Sequence, residues 1–196
     1  MRPPETNELL LIRHAPADHG GRLCGRSDVP ALLPSAPELA PLRGWLSGCS
    51  SVVSSPARRC LQTAGALFPE CALATDDRLW EQDFGDHDGL PFSKLPDLGL
   101  LDREALTATC PPGGESFSAM VARVTPALVA LAGRARAGGP VAVVAHAGTA
   151  RAALGLSLEL PSAGLGFEIA PLSVTRLRCH DGGLSIIATN WTGPGA

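Results

Sequence analysis

Five side chains of this sequence stand where chemistry is usually done. Arg13 and His14 end one apolar run, His146 ends another, Arg59 opens a helical stretch, and Glu81 lies in an irregular one. Together they make a coherent phosphate site. Guanidinium groups clamp phosphate oxygens in a bidentate way and stay charged at any working pH. In the first turn of a helix, Arg59 also has free backbone N–H groups and the helix dipole beside it, both of which favour an anion. A histidine among such cations has its charged form disfavoured, so its pKa falls. The neutral imidazole that results can attack phosphorus. A second histidine can donate to the equatorial oxygens, and a carboxylic acid can protonate the departing alkoxide.

The elements that position these groups follow from the hydrophobic pattern. Leu9–Ile12 is a short continuous apolar run, read as a buried strand that delivers Arg13 and His14 at its carboxyl end. Val141–Ala145 does the same for His146-Ala147-Gly148. Between them the sequence predicts a helix over Pro37–Leu46 with Leu39, Leu42, Trp45 and Leu46 on one face, and a strand at Ser51–Ser54. It predicts a second helix running to about Leu67, with Ser55 as N-cap and Pro56 at its first position. Ala72–Thr75 reads as a third strand, and Glu115 to about Ala137 as a long helix burying Phe117, Met120, Val121, Val124, Leu128 and Leu131. A further helix is expected over Thr149–Leu156. Strands are expected at Gly166–Pro171, Ser173–His180 and Leu184–Thr189, the last two joined through Asp181-Gly182-Gly183 as a hairpin. This order predicts an α/β fold with a mostly parallel sheet and an antiparallel margin. Residues 76–112 are irregular and are expected to cover the site, with short helices inside.

Bulk properties narrow the class. A chain of 196 residues fits one domain spanning 1–196, and 45% hydrophobic with 18% charged residues is ordinary for a globular protein. A net charge of -3 gives no reason to expect nucleic acid or an anionic membrane as partner. The polar start, Met1–Asn7, is unlike a signal peptide, and no stretch is long and apolar enough to span a bilayer, so a cytoplasmic protein is expected. The six cysteines form no C-x-x-C pair and are read as reduced, mostly buried residues.

The motifs add a resemblance. Leu11-Ile12-Arg13-His14-Ala15 resembles the R-H-G signature of the histidine phosphatase superfamily, also called phosphoglycerate mutase-like. The likeness continues in family order through Gly25–Pro30, Ser54–Ala64, Leu79–Gly85, Gly113–Ser116 and Val144–Gly148, about three quarters of the chain. It implies a three-layer α/β/α fold and a phosphomonoesterase that needs no metal or organic cofactor. It implies His14 as the phosphorylated nucleophile, Arg13 and Arg59 as the phosphate clamp, His146 as the second pocket histidine, and Glu81 as the loop acid. Asp83 and, more weakly, Asp88 are rivals for that last role. Arg58 is read as a solvated neighbour of Arg59, and His19 and His180 as structural or surface residues. Arg26 and Ala147 are candidate substrate contacts. Ala15 and Ala147 stand where the motifs usually have glycine, so the backbone there must avoid conformations open only to glycine.

Within the superfamily, Ile12–Pro16 with Gly25–Pro30 looks most like the α-ribazole phosphatases of cobalamin biosynthesis, with a small phosphomonoester as partner. A broad-specificity sugar-phosphate or phosphoglycerate enzyme, or a non-catalytic binder of phospho-ligands, is the alternative. A zinc hydrolase using His14, His19 and His146 lacks an H-E-x-x-H or similar spacing. A serine hydrolase at Ser54 or Ser55 lacks the G-x-S-x-G elbow.

Overall fold

In the computed structural model, which describes residues 1–49 and 51–194, the first apolar run becomes strand β1 (Glu8–Arg13). Its side chains alternate between the two faces of the sheet. Leu9 and Leu11 enter one core, and Leu10 and Ile12 another. Strand β4 (Val141–Ala145) divides the same way, Val141 and Val143 to the first core and Ala142 and Val144 to the second. Both runs are continuously apolar because both faces of the sheet are covered by helices.

The second core is closed by α1 (Ala36–Leu46) and α2 (Arg58–Leu67). Leu39, Leu42, Trp45 and Leu46 all point inward from α1, as their spacing predicts. The first core is closed by α4 (Phe117–Gly138) and α5 (Ala147–Ser157), with Met120, Val124, Leu128 and Leu154 fully buried. Truncating any one of these leucines to alanine would cost about 2–5 kcal/mol.

The sheet has six strands in the order β3-β2-β4-β1-β5-β6, adding β2 (Ser51–Ser54), β3 (Leu73–Thr75), β5 (Val174–His180) and β6 (Gly183–Trp191). The first four strands of that order run parallel, and β5 and β6 form the antiparallel margin. The architecture is therefore the three-layer α/β/α arrangement expected. Residues 76–112 hold 3-10 turns at Asp77–Leu79, Gly85–His87 and Phe92–Lys94 and one short helix, α3 (Arg103–Ala108). Among the described residues, no helix is long and apolar enough to cross a membrane.

Three expectations are corrected. Ser55 does not cap α2, which starts two residues later than predicted. The exposed N-terminal amide of Arg58 is instead taken by Asp28, thirty residues away, at 2.6 Å. Gly166–Pro171 forms no strand, because side chains take up its backbone groups: Arg13 binds the Ile169 carbonyl, Arg151 the Phe167 carbonyl, and Asn190 the Ala170 amide. A 3-10 turn at Pro161–Gly166 precedes it. Finally, α5 begins at Ala147, two residues before the predicted start. Gly148 keeps a φ outside the left-handed region, so the helix runs through it.

Candidate active site

Strands β1 and β4 are parallel neighbours, with Arg13 opposite Ala145, so the residues that follow them leave the same sheet edge side by side. The His14 amide continues the ladder to the Ala145 carbonyl at 2.9 Å. The rings of His14 and His146 consequently meet edge to face, 5.2 Å between centroids. Both are buried.

The tautomer of His14 follows from its partners. Its Nδ1 lies 2.6 Å from the Ala15 carbonyl, which can only accept, so Nδ1 carries the proton. That leaves the Nε2 lone pair, to which Arg59 donates from Nε at 3.3 Å. Burial lowers the His14 pKa to about 3; the Ala15 carbonyl opposes this, and Arg59 and Arg13 add to it. His146 is also held well below its ordinary value, by burial first and then by Arg59, His14 and Arg13. Its Nε2 is 2.9 Å from the Ser55 hydroxyl and its Nδ1 3.4 Å from Arg59 Nη2. Ser55 thus orients a histidine instead of capping a helix.

Arg59 is fully buried and organises the pocket. Besides the two imidazoles, it donates from Nη1 to the Ser27 carbonyl at 2.9 Å and from Nη2 to the Gly25 carbonyl at 2.8 Å. The segment carrying those carbonyls is fixed by Asp88, whose carboxylate accepts from the amides of Arg26 and Ser27 and from the Ser27 hydroxyl, at 2.6, 3.1 and 2.7 Å. Thr63, one turn along α2, donates to the Arg59 carbonyl and accepts from the Ala15 amide, tying the helix to the residue after His14. Arg58 is exposed, as a solvated neighbour would be. Arg13 donates to the Ile169 carbonyl from Nη1 at 2.6 Å, while its buried Nε has no hydrogen-bond partner among the described residues.

Glu81 joins this group from the irregular region. Its Oε1 accepts from the Gln82 amide at 3.1 Å and its Oε2 lies 3.5 Å from the Gly148 amide. Burial raises its pKa, against the opposing pull of those two amides, Arg59 and Arg13. Gly148 is required by contact and not by conformation: a Cβ there would stand 2.2 Å from Glu81 Oε1 and 2.7 Å from Met120 Cε. The backbone of the Glu81 loop is held from α4, where Arg123 donates to the carbonyls of Arg78, Trp80 and Glu81 and pairs with Glu115. Asp83 is occupied elsewhere, its Oδ1 accepting from the Gly85 amide and its Oδ2 lying 3.9 Å from Arg26.

Of the remaining candidates, Arg26 lies over the Trp80 ring at 5.4 Å, and Trp80 stacks parallel to His146 at 6.5 Å, which puts Arg26 at the rim of the site. Ala147 opens α5 and is half-buried. Neither Ala15 nor Ala147 has a positive φ, so alanine fits both positions without strain. His19 accepts from the Gly21 amide and packs against Phe92, while His180 pairs with Ser185 on the exposed hairpin; neither joins the site. Among the described residues, no three His, Cys, Asp or Glu side chains group as a metal site. The roles of Asp88, Arg123, Ser55 and Trp80 carry no signal of their own in the sequence, since each acts across the fold.

The family description of the histidine phosphatase superfamily (branch 1) matches residues 9–192. The chain belongs to the histidine phosphatase superfamily. A curated relative, the Mycobacterium tuberculosis protein described as bifunctional protein Rv2228c, is 32% identical over 203 residues, covering 94% of this chain and 54% of that protein. The chain thus spans about half the length of the curated relatives it matches. Among solved structures, the mycobacterial glucosyl-3-phosphoglycerate phosphatase Rv2419c superposes with a TM-score of 0.80 at 26% identity, covering 95% of this chain and 100% of that one. The α-ribazole phosphatase of Shigella flexneri shares the fold, with a TM-score of 0.80 at 18% identity over 96% of this chain and 98% of that one.

Proposed function

We propose that the chain hydrolyses phosphomonoesters through a phosphohistidine formed on Nε2 of His14. The observation that carries this reading is the Nδ1 hydrogen bond from His14 to the Ala15 carbonyl, which leaves Nε2 unprotonated beside Arg59. Nε2 attacks phosphorus in line as the bond to the leaving oxygen breaks, and Glu81 delivers its proton to that oxygen. Arg13, Arg59 and His146 hold the equatorial oxygens. The Ala15 carbonyl accepts from Nδ1 throughout and stabilises the charge the ring gains on phosphorylation. Water then attacks the phosphohistidine, Glu81 takes its proton, and phosphate and free His14 are regenerated.

As substrate we place α-ribazole 5′-phosphate first, on the likeness of Ile12–Pro16 and Gly25–Pro30 to the enzymes of that step in cobalamin biosynthesis. A sugar phosphate is the second reading, favoured by the 26% identity to glucosyl-3-phosphoglycerate phosphatase. Rapid quench with a radiolabelled ester tests the mechanism: label should appear on His14, stable to base and lost in acid, and His14→Ala should abolish both label and turnover. Unchanged turnover in His14→Ala would end the proposal, and phosphate binding without any turnover would make the chain a binding module. A phosphate-release panel holding α-ribazole 5′-phosphate, 3-phosphoglycerate, fructose bisphosphates and nucleotide monophosphates then ranks the two substrate readings.

A further inference from the structure

A cavity of about 750 Å3 opens between the irregular region, the start of α4 and α5. It meets the candidate site at two residues. Gln82 follows Glu81 directly. Arg151 stands one helical turn after Ala147 on α5, close enough to Arg13 for the two charges to be felt by each other. Its Nε is fixed by the Phe167 carbonyl at 3.1 Å. Away from that end the wall is mostly apolar, built from Leu23, Phe84, Leu98 and Phe117 among others and interrupted by His87 and Thr109, with no aspartate or glutamate among the described residues that line it.

We infer that this cavity receives the leaving group, and that the enzyme prefers phosphomonoesters of alcohols carrying an apolar, ring-sized body over those of small polyols. This deepens the hydrolase reading and rests on it. A polyol brings several hydroxyl groups, each of which loses water on entry, and away from the phosphate end the side chains that line the wall offer few partners, His87 and Thr109 among them. An apolar body gains by covering the same wall. Two of the lining leucines argue for an occupant directly: Leu98 and Leu106 are left 49% and 38% exposed, apolar surface that the chain itself does not bury. The volume lies within the range of pockets that enclose most of a drug-sized molecule. Arg151, at the inner end, supplies a cation beside the phosphate while the apolar remainder extends outward.

The test compares 2-(1-naphthyl)ethyl phosphate with glycerol 3-phosphate. Both are esters of primary alcohols, so the proton transfer from Glu81 is alike and the difference reads the cavity. The naphthyl ester should have the higher kcat/KM, by about 50-fold for an aromatic body buried on the apolar wall. Equal values, or a preference for glycerol 3-phosphate, would overturn the inference while leaving label on His14, and with it the hydrolase reading, intact. The double variant Leu98→Asp with Leu106→Asp alters two exposed positions. It should lower kcat/KM for the naphthyl ester at least about tenfold and change glycerol 3-phosphate by less than about twofold. An equal loss on both esters would remove the leucines from substrate recognition. Calorimetry with the non-hydrolysable phosphonates of the same two alcohols reads the cavity without turnover. Tighter binding of the naphthyl phosphonate is expected even if no phosphohistidine forms, and equal binding would overturn the inference on its own.

Discussion

Asp88→Ala should cripple phosphate binding although Asp88 touches neither histidine. Its carboxylate accepts three hydrogen bonds from residues 26 and 27, and the carbonyls of Gly25 and Ser27 in turn hold two corners of the Arg59 guanidinium. Hydrogen bonds to a charged group are worth about 1.5–3 kcal/mol each, but Asp88 is only half-buried and the freed amides can turn to water. We therefore expect a net loss of about 2 kcal/mol in the order of that segment. If half to all of this is felt at Arg59, kcat/KM falls about 5- to 30-fold. The competitive inhibition constant of inorganic phosphate should rise in parallel, because the clamp acts on bound phosphate as well as on the transition state. Asp88→Asn should do much less harm than Asp88→Ala, since its single amide oxygen can accept from the backbone N–H groups of both Arg26 and Ser27 while its amide nitrogen donates to the Ser27 hydroxyl. The rival role, Asp88 as proton donor, predicts a different pattern: heavy loss on alkyl phosphates and little on p-nitrophenyl phosphate. That pattern, or kcat/KM within twofold of the parent, would refute the positioning argument.

Other substitutions probe the same geometry. Gly148→Ala should lower kcat/KM about 100-fold or more by pushing Glu81 from its place, with circular dichroism unchanged; retained activity would mean the carboxyl tolerates displacement. Ala15→Gly and Ala147→Gly should leave activity within about twofold and lower stability by about 0.5–1 kcal/mol, because neither position needs the freedom glycine offers. For His14 the folded pKa of about 3 lies below the ordinary 6.5, so its contribution to stability is complete above pH 6.5 and is lost as pH falls towards 3. At 1.36 kcal/mol per unit this is on the order of 5 kcal/mol, and His14→Asn should flatten the acid limb of a denaturation series. Glu81 has the opposite sign: its raised pKa favours the folded state below its ordinary 4.5 and loses that advantage as pH rises. Glu81→Gln should accordingly raise Tm at pH 7 and not at pH 4, and an equal Tm at both would show that burial of Glu81 is not what shifts it.

How much of this was legible beforehand depended on the range over which each residue acts. The strands carrying His14 and His146 were plain because Leu9–Ile12 and Val141–Ala145 are apolar without a break, and the face of α1 because four apolar residues recur at helical spacing. Arg58 and Arg59 are adjacent and alike in type, and the fold separates them by burial: Arg59 is buried and Arg58 exposed. What misled was local chemistry overruled from afar. Ser55 has the residue type of a cap, but its hydroxyl is claimed by His146 and the cap comes from Asp28. Residues 166–171 have the composition of a strand, but Arg13, Arg151 and Asn190 reach their backbone first. The glycine demand fell on Gly148, which faces Glu81, and not on the positions where alanine replaces the usual glycine.

The deeper reason the site reads so well in fragments and so poorly as a whole is that its protonation states come from water exclusion, which no motif encodes. Burial alone pushes two imidazoles down and one carboxyl up. Those directions are the ones the proposed reaction needs, a neutral nucleophile and a carboxylic acid that still holds its proton. Arg59 and Arg13 lower the histidines further but act on Glu81 in the opposite sense to its burial, favouring its ionised form. A group that must give a proton to the leaving alcohol and then take one from water benefits from that balance. The cations therefore serve twice in the proposed cycle, as the clamp on phosphate and as the counterweight that keeps Glu81 reversible. Replacing either arginine should thus shift the alkaline limb of the rate profile upward as well as weaken binding, because the remaining burial would hold the Glu81 proton more tightly.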